Sequence, residues 1–505
     1  MNSSGTTTFD STAFSPTWVS RPGWHVVVAL VVAYGASLLV YNLYFHPLAE
    51  YPGPWLGRAS LLWRFIHTTT GRIHLDVEKL HRKYGPVVRV SPNELSFGST
   101  ESWKAVYGHS NAERPTPVKA PFYEIFGAGF KSLCIGSERD PKRHGEMRKM
   151  LSSAFSQRSL LDQEHIVSQK IDDFVTIIGQ KGGPGSEGIN MTKWYEMVSF
   201  DILGEMAFGE SFHSLEDGKP HFWSDMIEEH LYFITLIDNL SRLGIARLLK
   251  TLIPSMLLVQ NKNSQYSREK VDRILEHDNP RKDFISLLVD RVREGTVDKE
   301  EMTAHVSTLT VAGGETVSTF LAGTTSFLLQ HPHTLRRLQE EIRSAFPSYE
   351  SITAQKAQQL PYLQAVINEG LRLYPPGSQG FPRVSPGFQI HGRYVPAGTE
   401  IYTSAWAVTH DPENFSDPMS FKPERWLDPD SKDVKEASQP FSLGPRGCLG
   451  RNFAYMEVNL ILAKMLQKYD LELVNRDVDF IGEGRVFVMW WKPTLTVKFH
   501  ERSAL

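Results

Sequence analysis

The chain has 505 residues, 41% hydrophobic and 22% charged, so it can bury a large core and is neither disordered nor fibrous. Lys and Arg number 54 against 57 Asp and Glu, a net charge of −3, which excludes the broad positive field that nucleic-acid binding requires. Two cysteines only, Cys134 and Cys448, exclude a disulfide framework and any cysteine-rich zinc or iron–sulfur site.

After a short N-terminal stretch (1–23), residues 24–45 read WHVVVALVVAYGASLLVYNLYF without a single Asp, Glu, Lys or Arg. That run reaches the roughly 20 apolar residues needed to cross a bilayer, with Trp24 at one end and Tyr41, Tyr44 and Phe45 at the other suited to the interfaces. A signal peptide has a shorter apolar region and a small-residue cleavage site, and neither fits. Arg21 alone precedes the span whereas Arg58, Arg64 and Arg72 follow it, which orients the body to the cytosol. The glycosylation sequon at Asn2 then faces the lumen. Residues 46–60, with Pro47, Pro52 and Pro54, form a stiff hinge that ends the anchor helix.

Beyond the hinge, amphipathic periodicity predicts helices near 73–84, 141–156, 158–178, 192–209, 220–248, 260–277, 281–293, 299–330, 332–346 and 355–374. Strand-like alternation occurs near 87–98, 388–407 and 486–499, with a hairpin turn expected at Pro396-Ala397-Gly398. Length alone suggests about three domains. Neither the Gly-rich stretch 180–188 nor the polar stretch 428–438 separates two cores, so 61–505 reads as one large, mainly α domain with a minor β region.

The long helix predicted from Asp298 to Gln330 opens with Asp298 and Glu301 in a capping-box pattern and holds Ala312-Gly313-Gly314-Glu315-Thr316 at its centre. Two glycines inside a helix cost about 1 kcal/mol each. Either they admit a planar group to the backbone or they let another helix pack closely. Glu315 and Thr316 offer a carboxylate and a hydroxyl for moving protons into an apolar cavity. Downstream, Glu369 and Arg372 share one helix face; exposed, such a pair contributes at most about 0.5 kcal/mol. Arg425 in FKPERWL would make it a buried cluster that fixes architecture.

Cys448 lies just before an apolar helix, among Gly444, Gly447 and Gly450, so the loop can turn backbone N–H groups to the sulfur. The helix N-terminus, Arg446 and Arg451 are expected to lower its pKa. A thiolate is a nucleophile or a metal ligand, and no His lies between His410 and His500 to act as a nearby base. One thiolate cannot build a zinc site, whereas a haem iron needs only one strong axial ligand. Cys134 reads as a small buried hydrophobe.

Phe441, Gly444, Arg446, Cys448 and Gly450 match Phe-x-x-Gly-x-Arg-x-Cys-x-Gly, and the chain resembles the cytochrome P-450 superfamily of haem-thiolate monooxygenases. Ala312 to Thr316, Glu369 with Arg372, and Pro423 to Arg425 follow the family's order. The resemblance implies the cytochrome P-450 fold and haem b, with Cys448 as axial iron ligand and Phe441 packed on the cysteine side. It implies Arg446, His144, Arg148 and Arg383 as partners of the haem propionates, and Glu315 and Thr316 as the proton-delivery pair. His144 replaces the family's usual Trp, and Val317 followed by Ser318 replaces a second hydroxyl directly after Thr316. No flavin or nucleotide domain is fused, so electrons are implied to come from NADPH through a separate reductase, with cytochrome b5 as a second donor. Lys142, Arg143, Arg148 and Lys149 are candidates for the docking patch.

Membership further implies the endoplasmic reticulum membrane, O2 and a small hydrophobic substrate. The wording is similar to filamentous-fungal members acting on secondary metabolites, terpenoid or polyketide-derived, by hydroxylation, epoxidation or multistep oxidation. Candidate pocket walls are 121–130, 308–312, 379–381 and 485–487. A haem-thiolate isomerase, dehydratase or ring-rearranging enzyme and a non-catalytic haem sensor are the alternatives.

Overall fold

Gly23–Val40 is an α-helix (α1), and Tyr41–Phe45 continues it as one wider turn, so 23 residues span about 35 Å at 1.5 Å per residue. It is the one helix among the described residues long and apolar enough to cross a membrane, and none of its residues is buried against the body. The computed structural model describes residues 23–110, 115–243, 254–276, 284 and 286–502. The Asn2 sequon and the helical stretch predicted beyond 243 lie outside them.

The Pro-rich hinge is fastened to the body. Leu48 and Tyr51 are buried, Arg89 N–H donates to the Pro52 carbonyl at 2.7 Å, and the Arg89 guanidinium donates to the Asn42 carbonyl at 2.8 Å. A Cβ on Gly53 would collide with the Arg89 carbonyl, which is why glycine stands there.

Most of the body is helical, as the periodicity predicts. The elements that frame the site are α2 (Pro141–Ser152), α3 (Met191–Phe208), α4 (Phe222–Arg242), α5 (Lys299–Gln330), α6 (Pro361–Leu373) and α7 (Arg451–Lys468). Short helices at Leu62–Thr69, Thr100–Tyr107 and Ala405–Thr409 are not predicted by the periodicity, the last of them, capped by Ser404, replacing the end of the strand-like run expected to 407; the segment predicted at 355–374 is split before Pro361, which opens α6 at its first turn. Almost every residue of α3 is buried, and it packs along α5 in the main core. Such helices, apolar on most faces, belong to the interior of a large domain.

The β region is several small sheets. A five-stranded one has the order β1 (Val87–Ser91), β2 (Glu94–Phe97), β7 (Glu400–Thr403), β4 (Arg383–Val384), β3 (Val118–Lys119), with only β2 and β7 parallel. The expected hairpin turn at Pro396–Gly398 is displaced. The hairpin joins β5 (Phe388–Ile390) to β6 (Arg393–Val395) through His391-Gly392, both with positive φ as such a tight turn demands. Pro396–Gly398 instead carries the chain from that hairpin into β7. Near the C-terminus β8 (Arg485–Phe487) and β9 (Met489–Trp491) form a second hairpin.

Candidate active site

α5 runs through the core as an unbroken helix. Asp298 caps it by accepting from Glu300 N–H at 2.6 Å. Glu301 does not close the expected capping box; it pairs with Arg143 at 2.6 Å and lies 3.6 Å from His305. Positions 309, 312, 313, 316, 317 and 320 recur at helical spacing and line one wall of a large cavity. The opposite wall comes from the loop Pro440–Gly450 and the start of α7.

The glycines of α5 are explained by packing. A Cβ on Gly314 would stand 2.7 Å from the Phe200 ring, and one on Gly313 2.9 Å from Leu203, both on α3. Gly313 also borders the cavity, so the helix-packing reason dominates and the open-backbone reason applies to that glycine alone. Thr316 faces the cavity, and its hydroxyl donates to the Ala312 carbonyl at 2.8 Å.

The cysteine loop is wound by conformations only certain residues reach. Gly444 has φ +68°, and a Cβ there would collide with the Tyr107 carbonyl. Cys448 N–H donates to the Phe441 carbonyl at 2.8 Å, which closes the loop and leaves the sulfur exposed to the cavity. A Cβ on Gly450 would meet nothing within 4 Å, so the wall beside the sulfur stays flat. Phe441 packs on Tyr455 with ring centroids 5.2 Å apart, and Arg451 lies over both rings. The expected lowering of the thiol pKa is reversed. Enclosure by protein raises it, and the Gly450 N–H, Arg148 and Arg451 only partly oppose that.

Five basic residues, Lys119, His144, Arg148, Arg383 and Arg446, line the same cavity, and no Asp or Glu does so among the described residues. Strand pairing sets Lys119 directly opposite Arg383, a like-charge juxtaposition that is unfavourable by itself. Burial, then Arg446 and Arg383, pulls the Lys119 pKa down to about 7. Burial, then Lys119, Arg446, Arg148 and Arg383, pulls His144 down to about 3, so its ring is neutral and still offers one N–H. Arg446 falls to about 10 from burial and Arg383. These cations are held by neutral oxygens: Arg446 by the Arg139 carbonyl at 2.8 Å, Arg148 by the Gly447 carbonyl at 2.6 Å, Arg383 by the Tyr123 hydroxyl at 2.5 Å, and Lys119 by the Ile135 carbonyl at 2.6 Å. Concentrated positive charge with no carboxylate in the cavity wall among the described residues fits a ligand that brings its own carboxylates. The cavity encloses about 1730 Å3 of empty space, a figure that includes space open to solvent. Cys448 in one wall and a basic cluster with no carboxylate beside it supply the thiolate and the cations that an iron-bearing dicarboxylate macrocycle needs, so the residues fit haem.

Other predicted residues fall elsewhere. Glu315 is buried but turns away from the cavity, 2.5 Å from Lys492. Of the predicted walls, Tyr123, Thr308, Leu309, Ala312 and Phe381 line the cavity, whereas Arg485–Phe487 do not; Phe487 packs on Tyr232 and Trp491. Lys142, Arg143 and Lys149 are exposed while Arg148 points inward, so it leaves the surface patch. Glu369 and Arg372 are fully buried and joined by two bonds of 2.9 Å, and Arg425 Nε reaches Glu369 at 3.2 Å. Cys134 is buried against Thr308. Lys119, Glu196 and Lys492 escaped the sequence reading, because no local spacing marks them; only the β3–β4 pairing and the return of the C-terminal hairpin onto α5 bring them in.

An oxygen-activating haem-thiolate fold is what this cavity, its cysteine loop and its buried Glu–Arg cluster describe. The chain belongs to the cytochrome P-450 family, whose model matches residues 51–499, and it is a haem-thiolate monooxygenase that draws electrons from NADPH through a separate reductase. It is 61% identical over 94% of its length to cytochrome P-450 monooxygenase BOT4 of Botryotinia fuckeliana, covering 90% of that protein. It is 59% identical to monooxygenase ORF9 of Penicillium roqueforti, over 94% of this chain and 93% of that one. Averantin hydroxylase of Dothistroma septosporum is 36% identical, over 95% of this chain and 93% of that protein.

Proposed function

We propose that this monooxygenase oxidises a small hydrophobic secondary metabolite, terpenoid or polyketide-derived, by inserting one oxygen atom from O2. One observation carries the reading: the Cys448 sulfur and the Thr316 face of α5 border the same large cavity, which five basic residues and no carboxylate line. The hydroxylase named among the relatives supports the substrate class.

Haem bound through a thiolate supplies the oxygen-activating chemistry, which consumes two electrons and two protons. Cys448 would hold the haem iron through its sulfur, and the bond from its N–H to the Phe441 carbonyl fixes the loop that presents it. Arg446, Arg148, Arg383 and Lys119 would neutralise the two propionates by charge-assisted hydrogen bonds, and the neutral His144 would donate its one N–H to them. Phe441 and Gly450 shape the cysteine side. Thr316 holds a proton donor at the cavity wall, and Glu315 supplies it. The apolar wall of Ile135, Leu309, Ala312, Phe381 and Met489 excludes water and orients the substrate, which sets selectivity by position. Glu369, Arg372 and Arg425 hold the buried framework that joins α6 to the segment 409–433.

In this reading residues 1–23 are lumenal, 24–45 anchor the protein in the endoplasmic reticulum membrane, 46–60 hold the body at a fixed angle, and 61–505 form the cytosolic domain. The exposed Lys142, Arg143 and Lys149 then receive the reductase and cytochrome b5.

The test is a reduced-CO difference spectrum, followed by turnover with reductase and NADPH on a panel of terpenoid and polyketide scaffolds, with products identified by mass. Cys448→Ala is expected to abolish the thiolate signature. A wild-type spectrum without it, or turnover independent of NADPH and O2, overturns the reading; the second result would favour an isomerase.

A further inference from the structure

Four side chains of alternating charge run from the surface to α5. Lys193, whose side chain is 31% exposed, lies 3.0 Å from Glu196; both are on α3. Glu196, 1% exposed, lies 3.2 Å from Lys492, which directly follows β9. Lys492, fully buried, lies 2.5 Å from Glu315, and Thr319 donates to the same carboxylate oxygen at 3.3 Å. No gap in the row exceeds 3.2 Å, and it ends one residue from Thr316. Two positive and two negative charges balance. The Lys492 and Lys193 ammonium groups outweigh burial and hold Glu196 below the usual carboxylate range. Desolvating the three buried charges gives little net stability compared with an apolar replacement, so stability alone does not account for the row.

We infer that Lys193, Glu196 and Lys492 form the route by which protons reach Glu315, entering from the α3 side rather than through the substrate cavity. The inference rests on Glu315 and Thr316 being the proton-delivery pair. Lys492 gives an ammonium proton to Glu315, so one N–H bond breaks and one O–H bond forms. Glu196, ionised at rest, takes a proton from Lys193, which recovers one from water, and passes it to the Lys492 amine. One proton has then moved from solvent to Glu315, and a side-chain rotation brings it to Thr316. A buried lysine suits this step, because its amine can lose a proton where a guanidinium cannot. Glu196 and Lys492 touch neither haem nor substrate, so they are positioning residues that act through Glu315. Supply from behind α5 leaves the cavity dry while a substrate fills it.

The test uses haem-loaded enzyme with its reductase and compares Glu196→Gln, Lys492→Met, Glu315→Gln and the double variant E196Q/E315Q. Glu196→Gln is isosteric and is expected to keep the reduced-CO thiolate spectrum and the substrate KM. Its kcat should fall about tenfold or more, with a larger solvent isotope effect. In the Glu315→Gln background it should add nothing, because both lie on one path. Wild-type kcat in Glu196→Gln, or losses that multiply in the double variant, overturns the route. Should Lys492→Met fail to fold, Glu196→Gln decides alone. A wild-type kcat in Glu315→Gln is a different failure, that of the delivery pair itself.

Discussion

Replacing Arg372 by Met removes a side chain that ties α6 to the segment from Thr409 to Ser420 within the buried Glu–Arg cluster. Its guanidinium donates twice to Glu369 at 2.9 Å, and to the carbonyls of Thr409 at 2.9 Å, Pro418 at 2.7 Å and Ser420 at 3.1 Å. Met leaves Glu369 with the Lys422 N–H, the Trp426 indole at 2.9 Å and Arg425 at 3.2 Å, so the carboxylate keeps some partners. Breaking a buried pair from one side costs about 3–5 kcal/mol. Three buried carbonyls that lose a donor add roughly 1 kcal/mol each. The sum, about 6–8 kcal/mol, rivals the whole stability of roughly 5–15 kcal/mol for a folded domain. The variant is therefore expected to accumulate without haem, with no thiolate signature and no cooperative unfolding transition. Pairing it with Glu369→Gln should recover part of the loss, since the uncompensated charge is gone. A haem-loaded Arg372→Met protein with the wild-type denaturant midpoint refutes this account of the cluster.

Glu457, fully buried on α7 beside Ser199, has its pKa pushed up to about 8 by burial. A raised carboxyl pKa gives a contribution complete below the unfolded value of about 4.3 and lost as pH climbs through about 8, a span worth a few kcal/mol. The wild-type unfolding midpoint should thus fall between pH 5 and 8 more than that of Glu457→Gln; parallel profiles would contradict it. Gly314→Ala gains about 1 kcal/mol of helix propensity but drives a Cβ into Phe200, and overpacking of this kind costs about 1–3 kcal/mol. Thermal unfolding of the haem-loaded protein should show a net loss. Lys119→Met removes one charge-assisted bond of roughly 1.5–3 kcal/mol to a propionate. Haem transfer to a scavenger protein should then run about 10–100 times faster, and an unchanged rate would remove Lys119 from the haem's partners.

The sequence by itself determined the class of the protein and most of its helices. Chemistry at Cys448 depends on its immediate neighbours, Gly444, Arg446, Gly447 and Gly450, and helical periodicity is likewise local, so both can be read along the chain. The long apolar N-terminal helix is legible for the same reason, being a composition sustained over 23 residues. Tertiary structure decided what depends on partners distant in sequence. Lys119 gained meaning only when β3 paired with β4 and set it opposite Arg383. Gly313 and Gly314 have two sufficient explanations in sequence, and only the positions of Leu203 and Phe200 select close helix packing. Burial is collective as well. Two arginines and a helix N-terminus suggest a lowered Cys448 pKa, yet the desolvation that outweighs them comes from the walls of the whole cavity. Glu315 likewise looks like a residue of the cavity until the C-terminal hairpin brings Lys492 behind α5, and Coulomb attraction at 2.5 Å turns the carboxylate the other way.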